Sequence, residues 1–541
     1  LIIVVRKITL KKLTKKILNP QKEINGKPIE ATQVSDSQPL SGKIQDNIDV
    51  LRTEFEYCSD INFREITLEL NGPIDVAMVY LSNLNMLDPN HEFILQGIML
   101  DLPKIDSEIT EAENDHVQLL IRKFLPTLDV STVDTFQSVL EKIFEGNIII
   151  LVDNSAKAIT VNITQPVGRA ITEPEVEPSV RGPRDGFVES IGTNVALVRK
   201  RLHTSQLKTE MVILGELTKS KICICYLKDI AGDKIVGEVK ARLDKYRGNG
   251  IIASGEIEEL IEDDTFTVFP TVQTTERPDK VASALLEGRV ALITDNTPNV
   301  LIVPCTFVSL LQAAEDYYHR AIFATSIRLL RFVALNIALL LPALYVAALT
   351  YHQEILPGPL LTSLMASRRG VPFPTFFEVF SMELIFELLR EAGIRLPRVS
   401  GQAVSTVGGL VIGQTAAAAG FVSQGVLIIV ALTAIANFTI PNWGASFSIR
   451  LLRFFFLAAA SLFGLPGIMI ALMLVLAHLS DLRSFGVPYL APFAPLIIGS
   501  LKDTFIRAPS WAMKFLPRFG GNKKPQRIYQ DISPKKPGEQ D

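Results

Sequence analysis

The sequence predicts an α/β water-soluble domain made of two related subdomains, followed by an all-α multi-span transmembrane domain. Three observations predict this class: most charge lies before Arg331 or after Lys502, a hairpin pattern occurs twice in the N-terminal part, and long uncharged stretches follow. Of the 541 residues, 48% are apolar and 21% are charged. The net charge of -3 gives no indication of nucleic acid as a partner, and we expect none.

We expect six regions along the chain. They are a polar N-terminal tail at 1–45, a first α/β subdomain at 46–170, a connector with a helix at 171–200, a second α/β subdomain at 201–328, a transmembrane helical domain at 329–501, and a basic cytosolic C-terminal tail at 502–541. The apolar start at 1–5 is too short for a signal-peptide core, and basic residues follow it at once. We therefore expect the soluble domain to stay in the cytosol.

Two similar strings indicate that the soluble domain is a duplication. Residues 145–155 and 287–297 both read Glu-Gly, six mostly apolar residues, and then Asp-Asn followed by Ser or Thr. A second apolar run follows each string, and two β-prone runs joined by a turn-forming Asp-Asn are typical of a hairpin. We predict equivalent hairpins with Asp153 and Asp295 as turn residues; the alternative is chance similarity.

The connector between the repeats is dense in proline, glycine and both signs of charge. Proline removes a backbone donor and favours an extended path there. We expect an ordered linker that packs between the two subdomains. Its charged residues, which would form pairs across them, are Arg181, Arg184, Glu175 and Glu177. The alternative is a charged surface for a ligand or partner.

Long uncharged stretches predict the membrane spans. The clearest are 332–350, 421–440 and 454–478, since roughly 20 apolar residues cross the hydrocarbon core. The Gly-Leu-Pro-Gly sequence at 464–467 predicts a kink or break in the third span. We expect 485–501, which prolines interrupt, to be re-entrant or interfacial.

A weaker span at 401–419 is built of small residues, and Gly409 and Gly413 in it are spaced for close helix packing. The distribution of basic residues places both termini in the cytosol, with five or six membrane segments. In that arrangement Arg450 and Arg453 belong to a cytosolic loop.

A helix predicted at 373–395 carries acids within an apolar stretch. Glu383, Glu387 and Glu391 recur every four residues, so they lie on one helical face. A charge at mid-bilayer costs at least about 2.5 kcal/mol, so these acids must face protein, water or a cation path. Acidic rings serve cation channels in this way. The alternative is an amphipathic helix on the membrane surface with its acids in water.

The sequence predicts no catalytic residues, no metal site and no cofactor. The four cysteines have no zinc-ligand spacing, the six histidines form no cluster, and no nucleophile-elbow or phosphate-binding motif occurs. We expect reduced cysteines in apolar strands and a protein that is not an enzyme.

Four segments resemble the A subunit of the spore germination receptors of endospore-forming bacteria: 173–189, 288–315, 384–397 and 438–446. Thr172 stands where that family usually has arginine. The resemblance covers almost all of the chain after residue 45. It implies a multi-pass subunit of a nutrient germinant receptor in the spore inner membrane, with a permease-like B subunit and a lipoprotein C subunit as partners. It also implies a homo-oligomer that forms or gates a cation channel.

Two other functions stay open. A membrane transporter of nutrient or dipicolinate predicts an internal repeat in the membrane half, and the sequence shows none there. A non-conducting scaffold or transducer subunit needs no polar pore lining.

Overall fold

The computed structural model divides the chain into an α/β unit and a helical unit. The described residues are 38–69, 73–82, 117–118, 120–121, 129–162, 173–395, 413–513 and 516. The helical unit takes Asp263–Gln273 from the predicted second subdomain and resumes at Cys305. It therefore starts before residue 329, the boundary that we expected from hydropathy.

The first subdomain of the α/β unit is a five-stranded sheet. Its elements are α1 (Ile44–Glu54), β1 (Ile61–Glu69), β2 (Pro73–Leu81), β3 (Asp129–Val133), α2 (Phe136–Phe144), β4 (Ile148–Val152) and β5 (Ala158–Asn162). The strand order is β1-β2-β4-β5-β3, and all neighbours are antiparallel. Successive residues of β4 point to opposite faces, and both faces are buried. This explains why its sequence is uniformly apolar.

The second subdomain repeats this order. Its elements are α3 (Ile191–Arg199), β6 (Leu207–Leu214), β7 (Ser220–Leu227), α4 (Asp233–Leu243), α5 (Ser254–Ile261), β8 (Gln273–Thr275), α6 (Pro278–Leu286), β9 (Val290–Thr294) and β10 (Val300–Val303). The strand order is β6-β7-β9-β10-β8. Each strand has its counterpart five numbers earlier, as the doubled strings predict.

The two predicted hairpins are confirmed as β4–β5 and β9–β10. Asn154 and Asn296 occupy their turns with φ of 60° and 64°. Asparagine tolerates this left-handed conformation better than most residues. The Asp-Asn pair in each string is therefore explained by turn geometry.

The turn aspartates also make a second contact, which the hairpin pattern does not predict. Asp153 Oδ1 accepts a hydrogen bond from the Ile44 N–H, and Asp295 Oδ1 accepts one from the Ile191 N–H. In both subdomains the aspartate thus satisfies a free donor at the start of the first helix. This repeated contact is independent support for duplication.

A further repeated contact begins each subdomain. The Asn47 side chain bonds both backbone groups of Ser41, and the Asn194 side chain bonds both backbone groups of Val188. The first subdomain therefore includes Ser41, which we had placed in the N-terminal tail. The sequence feature that marks this contact is an asparagine at the fourth position of α1 and of α3. A hairpin pattern does not detect it.

A buried ion pair joins the two subdomains. Arg199 donates from Nε and Nη2 to the carboxylate of Asp60, both at 2.9 Å, and both side chains are buried. Thr209 Oγ1 donates to the same carboxylate at 2.6 Å. Removal of either partner would leave the other as an unpaired buried charge, which is costly. The ion pair therefore favours the observed arrangement of the two subdomains.

The connector lies along the second subdomain. Glu177 pairs with Lys280 at 2.7 Å, and Arg277 donates to the carbonyls of Glu177 and Pro183. Arg184 pairs with Glu173 within the connector at 3.2 Å, and both are exposed. These contacts of Glu177 and Arg184 do not lie between the two subdomains, where we had expected them.

The other two connector residues predicted to form pairs, Arg181 and Glu175, are exposed. Their predicted pairing across the two subdomains stays a prediction.

The described residues of the helical unit include several α-helices and a short hairpin. They are α7 (Phe307–Leu311), α8 (Ala321–Thr350), α9 (Gly358–Ser367), α10 (Thr375–Arg395), α11 (Gln424–Phe438), α12 (Trp443–Asp481), β11 (Arg483–Ser484) and β12 (Val487–Pro488). In the described part, α8 and α12 are long and apolar enough to cross a membrane, and α11 is a shorter apolar helix. Most of the span predicted at 401–419 lies outside the described residues.

Helix α12 reverses direction at Gly464, which has φ 65° and ψ -141°. Ser448 donates to the Val268 carbonyl, and His478 lies 2.8 Å from the Thr267 hydroxyl. In a straight helix Ser448 and His478 would lie about 45 Å apart, yet they contact neighbouring residues.

The interpretation of 454–478 as one span is therefore wrong. The predicted break at Gly464 divides α12 into two antiparallel halves, 443–463 and 465–481. They are about 30 Å and about 25 Å long.

Candidate ion-pair site in the helical unit

The candidate site lies where α10 meets the first half of α12. Glu383 and Glu387 lie one turn apart on α10, and Arg450 and Arg453 lie about one turn apart on α12. The two acids therefore face two arginines across the helix contact, and all four side chains are mostly or fully buried.

The inner pair is Glu383 and Arg453. Glu383 Oε2 accepts from Arg453 Nη1, and the side chains are 0% and 1% exposed. Arg453 Nε donates to the Ala338 carbonyl on α8 at 3.0 Å. That carbonyl is free because Pro342, four residues later, has no N–H to donate. Pro342 thus creates the acceptor that orients Arg453.

The outer group contains one acid and two arginines. Glu387 Oε2 accepts from Arg450 Nη1 at 3.0 Å and from Arg390 Nη2. The Arg450 guanidinium lies 5.0 Å from the ring centre of Phe447 and 5.8 Å from that of Trp443. The Arg450 side chain therefore runs back toward the start of α12.

A third buried acid fixes the start of α10. Glu378 Oε1 accepts from Arg368 at 2.8 Å, and Glu378 Oε2 accepts from the Ser423 N–H at 3.0 Å. Ser423 precedes α11, so Glu378 satisfies a free donor at the start of that helix. We had not predicted a site role for Glu378.

The three predicted pathway acids have different surroundings. Glu383 and Glu387 come together with buried arginines. Glu391 pairs with Arg395 on the same helix, and these side chains are 58% and 78% exposed. The arginines that we had assigned to a cytosolic loop, Arg450 and Arg453, lie instead inside α12. Hydropathy alone missed them, although their spacing complements that of the acids.

Of the two glycines predicted to support close helix packing, Gly409 and Gly413, the structure describes Gly413. Gly409 lies outside the described residues. A Cβ at Gly413 would lie 3.9 Å from the Leu427 side chain, which is an ordinary contact.

The described residues contain no group of three or more His, Cys, Asp or Glu side chains placed to hold a metal ion. The candidate site is thus defined by carboxylates and guanidinium groups. Such an arrangement holds paired charges within the contact between α10 and α12.

The length and apolar composition of α8 and α12 indicate a membrane-associated protein, and the chain also forms an α/β unit. The chain belongs to the family described as Bacillus/Clostridium GerA spore germination protein, whose model matches residues 49–519.

Several relatives are similar over most of their length. Spore germination protein KA of Bacillus subtilis (strain 168) is 42% identical over 474 residues, which cover 87% of this chain and 86% of the relative. The uncharacterized membrane protein YfkQ of the same organism is 41% identical over 488 residues, covering 90% and 93%. Spore germination protein XA of Bacillus anthracis is 33% identical over 480 residues, covering 88% and 96%.

A solved structure is also similar. It is the N-terminal domain of the A subunit of the Bacillus megaterium spore germinant receptor GerK3, with 32% identity and a TM-score of 0.39. The match covers 50% of this chain and 98% of that one. The resemblance to the germination receptor A subunits is thus confirmed by the family match and the relatives.

Proposed function

We propose that this chain is a subunit of a nutrient germinant receptor and triggers germination by forming or gating a cation channel. The family supports the germination role. The observation that carries the channel proposal is the row of acids on α10, two of which are buried against arginines of α12 in an apolar helical unit.

In this proposal the described arrangement is closed to cations. Arg453 and Arg450 neutralise Glu383 and Glu387, so the carboxylates exert little attraction on an approaching cation. Conduction requires the arginines to withdraw, after which the acids concentrate cations and repel anions. Among the described residues, Oε1 of each acid is buried without a hydrogen-bond partner. These two oxygens are the acceptors that a hydrated cation would contact.

The proposed path lies in a homo-oligomer. Rotational symmetry turns one acid per subunit into a ring, and we propose that the exposed Glu391 contributes to such a ring. The small residues around Gly409 and Gly413 would allow neighbouring helices to pack behind it.

The proposed setting is the spore inner membrane, where the chain crosses several times and both termini face the cytosol. Its proposed partners are the lipid bilayer, a permease-like B subunit and a lipoprotein C subunit. We propose no enzymatic activity. Of the connector residues, Arg181 and Glu175 are proposed to pair across the two subdomains, while Glu177 and Arg184 hold the connector through the contacts described above.

A non-conducting transducer is the second candidate. The pairing of both buried acids with arginines favours it, because a permanent ion pair presents little charge to a pore. In that case the helical unit transmits a conformational change, and another subunit conducts the ions.

The two candidates predict different effects of charge removal. Spores would carry Glu383→Gln or Glu387→Gln, which keep size and remove charge, with the exposed Glu259→Gln in α5 as the control. The readout is potassium release after nutrient addition, with receptor assembly checked by co-purification of the partner subunits.

The channel proposal predicts that potassium release falls several-fold in both α10 variants while assembly persists and the control behaves as the parent. Normal release from assembled receptors carrying either variant would favour the transducer.

A further inference from the structure

The outer group of the ion-pair site has more positive than negative charge. Glu387 is the one carboxylate bonded to Arg390 or Arg450 among the described residues, and both guanidinium groups share its Oε2. The inner pair of Glu383 and Arg453 is balanced by itself. Among the residues that the structure describes, one guanidinium charge of the outer group therefore has no carboxylate of its own.

The same two arginines have unused donors. The Nε atoms of Arg390 and Arg450 are buried and have no hydrogen-bond partner among the described residues. A buried donor without an acceptor costs about 1–3 kcal/mol, and more when it is charged. The chain between α10 and the next described residue, 396–412, contains no Asp or Glu. That stretch therefore supplies no carboxylate that would balance the group.

The outer group of the ion-pair site lies near a helix end with the features of a membrane interface, which indicates the source of a balancing anion. Trp443 begins α12, and tryptophan at the end of an apolar helix is typical of the membrane interface. Arg450 lies about 10 Å further along the helix, and its guanidinium reaches back over the Phe447 and Trp443 rings. Trp443 and Phe447 are 54% and 55% exposed, so they form an apolar rim beside Arg450.

We propose that Arg390 and Arg450 bind the phosphate of an anionic phospholipid at this end of α10 and α12. A phosphodiester carries one negative charge and accepts several hydrogen bonds, which matches the unbalanced charge and the two free Nε donors. The acyl chains would then lie along Phe447 and the apolar face of α12. This site depends on the ion-pair geometry and on membrane insertion but not on ion conduction.

Trp443 provides a direct test, since the chain has only two tryptophans. The full chain carrying Trp511→Phe would be reconstituted in phosphatidylcholine nanodiscs with increasing fractions of phosphatidylglycerol that has brominated acyl chains, which quench nearby tryptophan. Brominated phosphatidylcholine serves as the uncharged comparison. The site predicts that the anionic lipid quenches Trp443 at a mole fraction about tenfold lower.

Two variants test the arginines. Arg450→Gln and Arg390→Gln are each expected to remove most of this preference, while Arg483→Gln, an exposed arginine after the second half of α12, keeps it. Equal quenching by the two lipids in the parent would overturn the site whether or not the variants fold. A preference for the anionic lipid that persists in both arginine variants would also overturn it, because another group would then bind the phosphate.

Discussion

Arg453 donates from Nε to the Ala338 carbonyl, the acceptor that Pro342 leaves free in α8. The same guanidinium binds Glu383 on α10. One side chain of α12 therefore holds two other helices at the middle of the helical unit. The bond to α8 depends on the missing N–H of Pro342, and the bond to α10 depends on Glu383. A change at either residue therefore removes one of the two contacts that Arg453 makes with other helices.

A double-mutant cycle will measure the inner pair. Glu383→Gln and Arg453→Gln alone each leave a buried charge without its partner and are expected to lower the free energy of unfolding by about 3–5 kcal/mol. The double variant removes both charges and is expected to lose clearly less than the sum. Unfolding of the detergent-solubilised full chain, followed by tryptophan fluorescence, provides the values.

The control for this cycle is Arg395→Gln, which removes an exposed pair with Glu391 and should change the free energy by at most about 1 kcal/mol. Additive losses in the double variant would show that Glu383 and Arg453 do not interact.

The reversal at Gly464 predicts a membrane topology. We expect cysteines placed at Trp443 and Arg483 to react with a membrane-impermeant thiol reagent from the same side, and a cysteine at Leu462 from the opposite side. The background would have its four native cysteines replaced by alanine. Trp443 and Arg483 labelled from opposite sides would indicate a continuous helix and contradict the reversal.

The α/β unit contains a pH-sensitive acid. Burial and the neighbouring Glu262 raise the pKa of Glu258 from 4.5 to about 7. The folded state therefore binds this proton more tightly than the unfolded state. The resulting stabilisation is complete below about pH 4.5 and is lost as pH rises through 7.

We expect Glu258→Gln to stabilise α5 at pH 8, by about 1 kcal/mol after solvent screening, and to have little effect at pH 4.5. Hydrogen exchange of peptides covering 254–261, corrected for intrinsic rates, measures this. The exposed Glu259→Gln is the matched control. A stabilisation of equal size at both pH values would show that Glu258 does not titrate differently on folding.

Local patterns predicted much of the fold. The doubled strings identified the hairpins at Asp153 and Asp295 because turn chemistry depends on neighbouring residues alone. The first long helix, α8, followed from apolar length, and the break at Gly464 followed from glycine and proline. Whether that break bends or reverses the chain depends on contacts with Val268 and Thr267, which lie far away in sequence.

The candidate site was predicted only in part. The spacing of Glu383 and Glu387 placed them on one helical face, but their partners come from another helix. The positive-inside rule assigned Arg450 and Arg453 to a loop because it considers charge and hydropathy without pairing. A buried arginine balanced by an acid on a distant helix leaves no local signal.

Ion selectivity of the reconstituted receptor shows whether Glu383 and Glu387 line a cation path. The full complex with its partner subunits would be placed in a planar bilayer under a potassium chloride gradient, and the reversal potential measured after nutrient addition. We expect the parent to prefer potassium over chloride and Glu383→Gln/Glu387→Gln to lose most of this preference or to conduct much less. An assembled double variant with the conductance and reversal potential of the parent would contradict the claim that these acids line the cation path.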